Sequence, residues 1–271
     1  MTPPTDRVAE FRRLHQSGCF VIPNPWDAGS ARALVHLGFP ALATTSCGFA
    51  WSLGLADNHV PLDQVLTHLR SISDAASVPV NADFEGGFAV EPDGVSANVA
   101  AATRTGIAGL SIEDSTGDST HPLFDFALSV ERMRAARHAI DASGTGVMLT
   151  GRSEGFVAGR PDLGETIRRL TAYAEAGADC LYAPGLRTIA DIKAVVDAVA
   201  PLPVNAGVGA SFTTVAELAA IGVRRISVGG ALARSAWTGF LDAAKEIAER
   251  GTLSGFDGSV PGSELNGMFR S

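Results

Sequence analysis

Short apolar runs alternate with longer stretches of helical spacing eight times along this chain of 271 residues. The runs are apolar on both faces, which is typical of parallel strands covered by helices. The predicted strands span residues 20–24, 40–46, 78–83, 109–113, 147–152, 180–184, 203–206 and 225–228. Eight strand–helix units predict an α/β fold, a single (β/α)8 barrel of the TIM type, over residues 1–250.

A repeated phrase favours the barrel over a doubly wound sheet. The segments HLGFPAL, RTGIAGLSI, EAGADCLY and AIGVRRISV each show a helix end closed by glycine that leads into a strand. A dinucleotide-binding sheet would need a Gly-x-Gly-x-x-Gly turn directly after its first strand, and NPWDAGSA is not one. Residues 251–271 form a Gly- and Ser-rich tail that ends in the helix-like SELNGMFR, and we expect it to contact another subunit.

Composition excludes several classes of partner. The net charge is −8 and no block of Lys or Arg occurs, so neither nucleic acid nor an anionic membrane is an expected partner. No apolar run approaches the roughly 20 residues that span a bilayer, and MTPPTDRVAEFRRLH lacks a signal-peptide core, so we expect a cytoplasmic protein. Cys19, Cys47 and Cys180 are far apart and predict buried thiols.

Charged side chains end three successive strands, in VPVNADFEGG, LSIED and LTGRSEG. In a barrel, the C-terminal strand ends form the active-site face. Several buried carboxylates at one place indicate a cation or charged ligand. Asp83 and Glu113 suit Mg²⁺ or Mn²⁺ held partly through water, and Arg152 suits a carboxylate or phosphonate. Alternatively, the two carboxylates cap the following segments, and Arg152 forms a structural salt bridge with Glu113 or Glu154.

Other residues add weaker candidates and exclude some mechanisms. Backbone N–H groups at Thr45 and Ser46 could hold an anionic oxygen, although a plain polar strand end explains them equally well. Asn205, after the seventh strand, is a candidate substrate contact. Lys193 and Lys245 both fall in predicted helices, so no lysine is placed for a Schiff base. The scattered histidines argue against a His-rich zinc site or a Ser–His triad.

The segments NPWDAGSARALVHLGFPALATTSCGFA, LADN, PVNADFEGGF, LSIEDSTG, LTGRSEGFVAG and RRLTAYAEAGADCLYAPG together resemble the isocitrate lyase and phosphoenolpyruvate mutase superfamily. The resemblance covers nearly the whole chain in order. It implies a barrel that exchanges its last helix within a homodimer or homotetramer, Mg²⁺, and a 2-oxo acid or enolpyruvate-type ligand. It assigns the metal to Asp83 and Glu113, the substrate anion to Arg152, the strand-two anion site to Thr45 and Ser46, and a loop acid to Asp57.

The chain departs from this superfamily at three places. Asn81 replaces the first carboxylate of the usual Asp-x-Asp on strand three, so either the metal affinity is lower or Glu85 compensates as a metal ligand. The Lys-Lys/Arg-Cys-Gly-His signature of isocitrate and methylisocitrate lyases is absent, and STGDSTHPLFD stands in its place. Ala183 and Pro184 replace the histidine typical of mutases after strand six.

These residues together predict a Mg²⁺-dependent lyase that breaks a C–C bond or decarboxylates a 2-oxo acid through a pyruvate-like enolate. Arg152 and Asp57 are the predicted catalytic residues. Substrate binding is assigned to Arg152, Thr45, Ser46, Asn81 and Asn205, and metal binding to Asp83, Glu113 and Glu85. A mutase or hydrolase acting on a P–C bond is one alternative. An oxo-acid-binding barrel with little turnover is another.

Overall fold

The computed structural model describes residues 4–270, and only the backbone of residues 4 and 5. Eight parallel strands form one sheet in the order β1-β8-β7-β6-β5-β4-β3-β2. The strands are β1 (Phe20–Ile22), β2 (Leu42–Ala43), β3 (Val80–Asp83), β4 (Gly109–Glu113), β5 (Met148–Arg152), β6 (Cys180–Tyr182), β7 (Val204–Gly207) and β8 (Arg225–Ser227). The helices are α1 (Pro4–Leu14), α2 (Ala28–His36), α3 (Ser46–Ser52), α4 (Leu62–Ala75), α5 (Pro92–Ala102), α6 (Phe126–Ser143), α7 (Leu163–Glu175), α8 (Ile189–Val199), α9 (Val215–Ala220), α10 (Ala231–Arg250) and α11 (Gly262–Met268). The predicted (β/α)8 barrel is confirmed.

β1 and β2 stand at the two ends of the strand order, and the residues that follow β1 bridge them, so that the barrel is nearly closed. The Ala43 N–H donates to the Pro23 carbonyl at 3.0 Å. The buried Asn24 amide donates to the Thr44 carbonyl at 2.9 Å, and its oxygen accepts from the Val228 N–H at 2.9 Å. One side chain therefore ties the ends of β1, β2 and β8 together, which fixes the rim at the C-terminal face of the barrel.

Helix α1, which the sequence prediction did not include, covers the opposite end of the barrel. Phe11 is fully buried and packs edge-on against His15 with a centroid distance of 4.5 Å. His15 packs in turn against Phe20, the first residue of β1, at 5.1 Å. A Cβ atom on Gly109, the first residue of β4, would lie 2.7 Å from the Phe11 ring. Glycine is therefore required there for α1 to seal the N-terminal face, and ligands must enter from the other face.

Strand β4 has the predicted bounds, but the prediction for the second strand is wrong. Residues 40–46 were expected to be extended, whereas β2 is limited to Leu42–Ala43 and α3 begins at Ser46. Thr45 is the N-cap of α3, and its hydroxyl accepts from the Gly48 N–H at 3.4 Å. A threonine cap stabilises a helix start by about 1 kcal/mol, so the polar residues here turn the chain into a helix.

The glycines of the repeated phrase end their helices as predicted. Gly38, Gly106, Gly177 and Gly222 have φ angles of 86°, 85°, 98° and 93°. A left-handed residue lets the chain leave the helix at once and enter the next strand, and glycine adopts this conformation without a Cβ clash. The repeated phrase in the sequence therefore corresponds to a repeated left-handed turn at the end of each helix.

Helix α10 stands away from the barrel, unlike the other helices that follow strands. Every residue from 234 to 242 is exposed. Trp237 and Phe240 contact each other at 5.5 Å between ring centroids, and they are 39% and 61% exposed. The tail packs on α10, because the Glu246 carboxylate accepts from the backbone of Ser254 and Gly255. No helix in the described part of the chain is both long enough and apolar enough to cross a membrane.

Candidate functional site

Asp83, Glu113 and Arg152 end β3, β4 and β5, and their side chains meet at the open face of the barrel. Arg152 Nη1 lies 3.0 Å from Asp83 Oδ1 and 3.2 Å from Glu113 Oε2. Its Nε contacts Glu154. The register of β4 and β5 pairs Glu113 with Arg152 directly, so the backbone brings the two side chains together. The predicted convergence is therefore present, and so is the salt bridge that the sequence left as an alternative.

Asp114 follows Glu113 in the chain but faces α7 instead of the open end of the barrel. Its carboxylate is buried and accepts from the Tyr173 hydroxyl at 2.7 Å and from Arg169 Nη1 at 3.1 Å. It also accepts from the Glu154 N–H at 2.7 Å. A buried carboxylate with this many partners is fully compensated. Asp114 therefore positions the segment that carries Glu154 and is not free to bind a ligand.

Carboxyl groups outnumber the cation around Arg152, because Asp57 and Glu85 adjoin its three carboxylate partners. Burial raises the pKa of Glu113 well above its usual range, against the opposing effect of Arg152. Burial, followed by the Asp83 charge, raises the pKa of Glu85 to about 8. Carboxyl groups that resist ionisation are stabilised in their charged form by an added cation.

The donor set suits a divalent ion held partly by water. Mg²⁺ is typically bound by one or two protein carboxylates and keeps several waters, and Asp83 and Glu113 supply two. Across residues 4–270, no three His, Cys, Asp or Glu side chains are grouped as a ready-made metal cage. Glu85 lines a small cavity together with Asp83, and its role as a third ligand stays a prediction. The residues therefore fit a hydrated ion on Asp83 and Glu113.

The turn into α3 orients Asp83. The Ser46 N–H donates to Asp83 Oδ2 at 3.0 Å, and the Asp83 N–H donates to the Thr44 hydroxyl at 2.9 Å. The Thr45 hydroxyl lies 3.2 Å from Cys47 Sγ. The Ser46 N–H is thus already used to hold a predicted metal ligand. That Thr45 and Ser46 bind a substrate anion stays a prediction.

A cavity of about 150 Å³ extends from Asp83 and Arg152 into the barrel. Asn81 and Asn205, both predicted substrate contacts, line it. The Asn205 side chain is already engaged, because Oδ1 accepts from Arg225 Nε and Nδ2 donates to Ser227 Oγ, both at 2.9 Å. Asn81 Oδ1 is buried and has no hydrogen-bond partner. A substrate contact at Asn81 stays a prediction, whereas Asn205 shapes the cavity wall.

Asp57 lies at the mouth of this cavity, on the exposed loop between α3 and α4. Partial burial, followed by the Asp83 charge, raises the pKa of its carboxyl group. An adjoining opening of about 410 Å³ also contacts Glu113 and Glu154. A larger cavity of about 700 Å³ lies elsewhere, between residues 120–126 and α7, and includes none of the predicted site residues.

Tyr182, the last residue of β6, is a site residue that the sequence prediction missed. It lines the cavity, and the Arg152 guanidinium carbon lies 5.2 Å from the centre of its ring. A Cβ atom on Gly207 of β7 would collide with the Tyr182 hydroxyl, so glycine at that position makes room for the ring. Burial raises the pKa of Tyr182, which keeps the phenol protonated. The two-residue period from Cys180 was the signal that Tyr182 points inward.

We expect the metal-free protein to lose stability as the pH rises from about 6.5 to about 8. Glu85 has a folded pKa of about 8 and an unfolded pKa near 4.3, so between these values only the folded state binds the proton, and stability falls with rising pH until Glu85 ionises at about 8. Buried His15 and His68, with pKa values lowered to about 3 and about 4, are neutral throughout this window. Melting temperatures in chelator measure the slope. Glu85→Gln should reduce the slope without abolishing it, because the raised pKa of Glu113 contributes in the same direction. A slope unchanged in that variant would contradict the assignment.

Comparison with known proteins identifies the family to which this chain belongs. The profile of the family described as phosphoenolpyruvate phosphomutase matches residues 11–248. An oxaloacetate decarboxylase of Bradyrhizobium diazoefficiens is 30% identical over 201 residues, which are 72% of this chain and 68% of that protein. The crystal structure of a 2,3-dimethylmalate lyase is 25% identical, with a TM-score of 0.85 and coverage of 99% and 95%. The crystal structure of a protein from Burkholderia cenocepacia J2315 described as a lyase/mutase is 45% identical, with a TM-score of 0.94. The match covers 99% of this chain and 97% of that one. The chain belongs to the phosphoenolpyruvate phosphomutase family, within the PEP mutase/isocitrate lyase superfamily.

Proposed function

We propose that this protein is a divalent-metal-dependent lyase that breaks a carbon–carbon bond in a small 2-oxo acid or related carboxylate, by cleavage or decarboxylation. The observation that carries the proposal is the meeting of Asp83, Glu113 and Arg152 above a small polar cavity. The relatives named as a decarboxylase of oxaloacetate and a lyase of 2,3-dimethylmalate support it.

Each side chain has a separate task in this proposal. Arg152 binds a carboxylate of the substrate, while Glu154 keeps its guanidinium oriented. Asp83 and Glu113 would hold Mg²⁺ or Mn²⁺, which supplies positive charge where the 2-oxo oxygen becomes an enolate oxygen. In decarboxylation, the bond between C3 and the distal carboxylate breaks, carbon dioxide leaves, and the electron pair of that bond forms the enolate of the remaining 2-oxo acid. Asp57, whose pKa is raised, donates the proton that converts the enolate carbon to the product.

A P–C mutase or hydrolase is the second candidate, and the description of the matched family favours it. Against it, β6 ends at Tyr182, followed by Ala183 and Pro184, where mutase-type enzymes are expected to carry a histidine. A barrel that binds oxo acids without turnover is the third candidate, because the neutral Asn81 lowers the charge available for a metal.

One assay separates the three. The protein is incubated with Mg²⁺ and, in parallel, with oxaloacetate, 2,3-dimethylmalate and phosphonopyruvate, and pyruvate, carbon dioxide, phosphate and phosphoenolpyruvate are measured. The proposal predicts turnover of at least one of the first two, lost in chelator and restored by Mg²⁺. Turnover of phosphonopyruvate alone would favour P–C chemistry. Saturable binding of all three acids without any product would favour the barrel that binds oxo acids without turnover.

We also propose that α10 packs against a second copy of the chain. The exposed side chains of Trp237, Phe240 and Leu241 form an apolar face on a helix that its own barrel does not cover. Apolar faces of this kind mark association surfaces. A second copy is the natural occupant, since a helix that leaves its own barrel after β8 can cover the same position on a partner, reciprocally.

Phe240→Asp should convert a dimer or tetramer into monomers, because a charge would be buried in the proposed contact. Sedimentation velocity of the wild type and the variant measures this. Val157→Asp, another exposed apolar residue but on the β5–α7 loop, is the control and should leave the mass unchanged. A wild type that sediments as a monomer would contradict the proposed contact.

A further inference from the structure

The interior of this barrel is polar below Asp83 and Glu113. Barrel interiors are usually filled by layers of Val, Ile and Leu side chains. Here the buried residues that line the cavity include an amide or hydroxyl from β3, β4, β7 and β8, namely Asn81, Ser111, Asn205 and Ser227. The cavity therefore continues into the barrel as a polar space that a small hydrophilic group can enter.

Arg225, the first residue of β8, is a buried cation that lines this space. Its Nε donates to Asn205 Oδ1 at 2.9 Å, and its Nη2 donates to Thr150 Oγ1 at 3.1 Å. Its Nη1 lies 3.4 Å from His15 Nε2. His15 Nδ1 lies 2.7 Å from the Phe11 carbonyl, which can only accept, so Nδ1 carries the proton and Nε2 accepts from Arg225. Three neutral groups therefore fix the guanidinium in place.

None of these groups neutralises the charge of Arg225. Arg152 contacts three carboxylates and Arg169 contacts two, whereas no salt bridge to Arg225 is found within residues 4–270. An unpaired buried charge is costly, and a bound anion would offset that cost. Arg7 is also buried and donates to the Ser73 carbonyl at 2.6 Å, but it does not line the cavity. Arg225 differs from Arg7 in its position under the cavity.

We propose that Arg225 forms the floor of a second anion-binding subsite, which receives the distal carboxylate of a short dicarboxylic acid whose other end is bound near Arg152. The identity of this occupant rests on the proposed function, whereas the existence of the subsite does not. The volume of about 150 Å³ limits the ligand, since sites for drug-sized molecules measure roughly 300 to 1,000 Å³. Arg225 thus determines specificity and takes no part in bond breaking.

The test compares two inert ligands that differ only in the distal group. Malate and 2-hydroxybutanoate share the carboxylate and the 2-hydroxyl, and malate has a carboxylate where 2-hydroxybutanoate has a methyl group. Calorimetry in Mg²⁺ should show that the wild type binds malate about 10 to 100 times more tightly, as expected for a charge-assisted hydrogen bond. Arg225→Met should weaken malate binding to the level of 2-hydroxybutanoate and leave the latter unchanged.

Controls keep the result interpretable. Arg7→Met removes a buried arginine outside the cavity and should keep the preference for malate. If Arg225→Met does not fold, Arg225→Gln removes the charge, keeps a hydrogen-bonding side chain and gives the same readout. Equal binding of the two ligands by the wild type, absence of binding of both, or a preference that survives loss of Arg225 would each overturn the subsite. Because no turnover is needed, failure of the proposed reaction leaves this test intact.

Discussion

Replacing Glu113 with glutamine should lower kcat/KM by about 10²- to 10³-fold, the loss typical of removing one group that stabilises developing charge. The change removes one of two predicted metal carboxylates and keeps the size of the side chain. The metal-free fold should not suffer, because the raised pKa of buried Glu113 means that its neutral form already suits the folded protein. We therefore expect activity and Mg²⁺ affinity to fall together while the melting temperature in chelator stays level or rises.

Steady-state kinetics across a Mg²⁺ titration, Mg²⁺ calorimetry and thermal unfolding measure these three quantities. Asp197→Asn, which removes an exposed carboxylate paired with Lys193, is the control and should change none of them. Chelation of the wild type should reduce its activity to the level of the Glu113 variant. A variant with wild-type kcat/KM and an unchanged Mg²⁺ dependence would remove Glu113 from the site.

The site was predictable from the sequence where side chains end their strands. Asp83, Glu113 and Arg152 each close an apolar run, and all parallel strands of a barrel end at one face, so the convergence follows from topology alone. Asp114 was less predictable, because it lies one residue beyond Glu113 and turns to Tyr173 instead. Its partners come from a helix about 60 residues away, and no local pattern reports such a contact.

Residues inside the barrel were harder to find. Arg224 and Arg225 are adjacent and chemically identical, yet the first is directed to the Gly18 carbonyl and the second is buried in the barrel. Alternation places Arg225 and Ser227 on one face of β8, which was a usable signal. However, which residues of different strands lie at the same height in the barrel depends on how neighbouring strands are shifted relative to each other. Arg225 aligns with Asn205, and Asn205 aligns with Tyr182, which is a property of register and not of spacing.

The start of α3 shows a third kind of limit. Thr45 and Ser46 are polar residues after an apolar run, which fits both a strand end and a helix cap. The cap prevails because Asp83, a residue of β3, accepts from the Ser46 N–H and holds the first turn in place. A contact between distant segments therefore decided the local structure.

Arg152→Lys should keep the fold but lower kcat/KM by about tenfold to a hundredfold, the equivalent of roughly 1.5 to 3 kcal/mol for a charged hydrogen bond. An ammonium group still offsets Asp83, Glu113 and Glu154, so most of the charge balance survives. It cannot form the two parallel hydrogen bonds that a guanidinium offers a planar carboxylate.

Arg168→Lys is a matched control for this change. Arg168 also pairs with a carboxylate, Glu165, and stacks on an aromatic ring, with its guanidinium carbon 3.7 Å from the centre of Phe126, but it lies on α7 away from Asp83 and Glu113. Both variants replace a guanidinium that pairs with a carboxylate and contacts an aromatic ring, although Arg168 is the more exposed of the two. A loss of kcat/KM in Arg152→Lys alone therefore points to the contact with substrate. If unfolding temperature collapses in Arg152→Lys while kcat/KM per folded molecule is unchanged, Arg152 is a structural ion-pair residue. The substrate carboxylate must then be bound by another group.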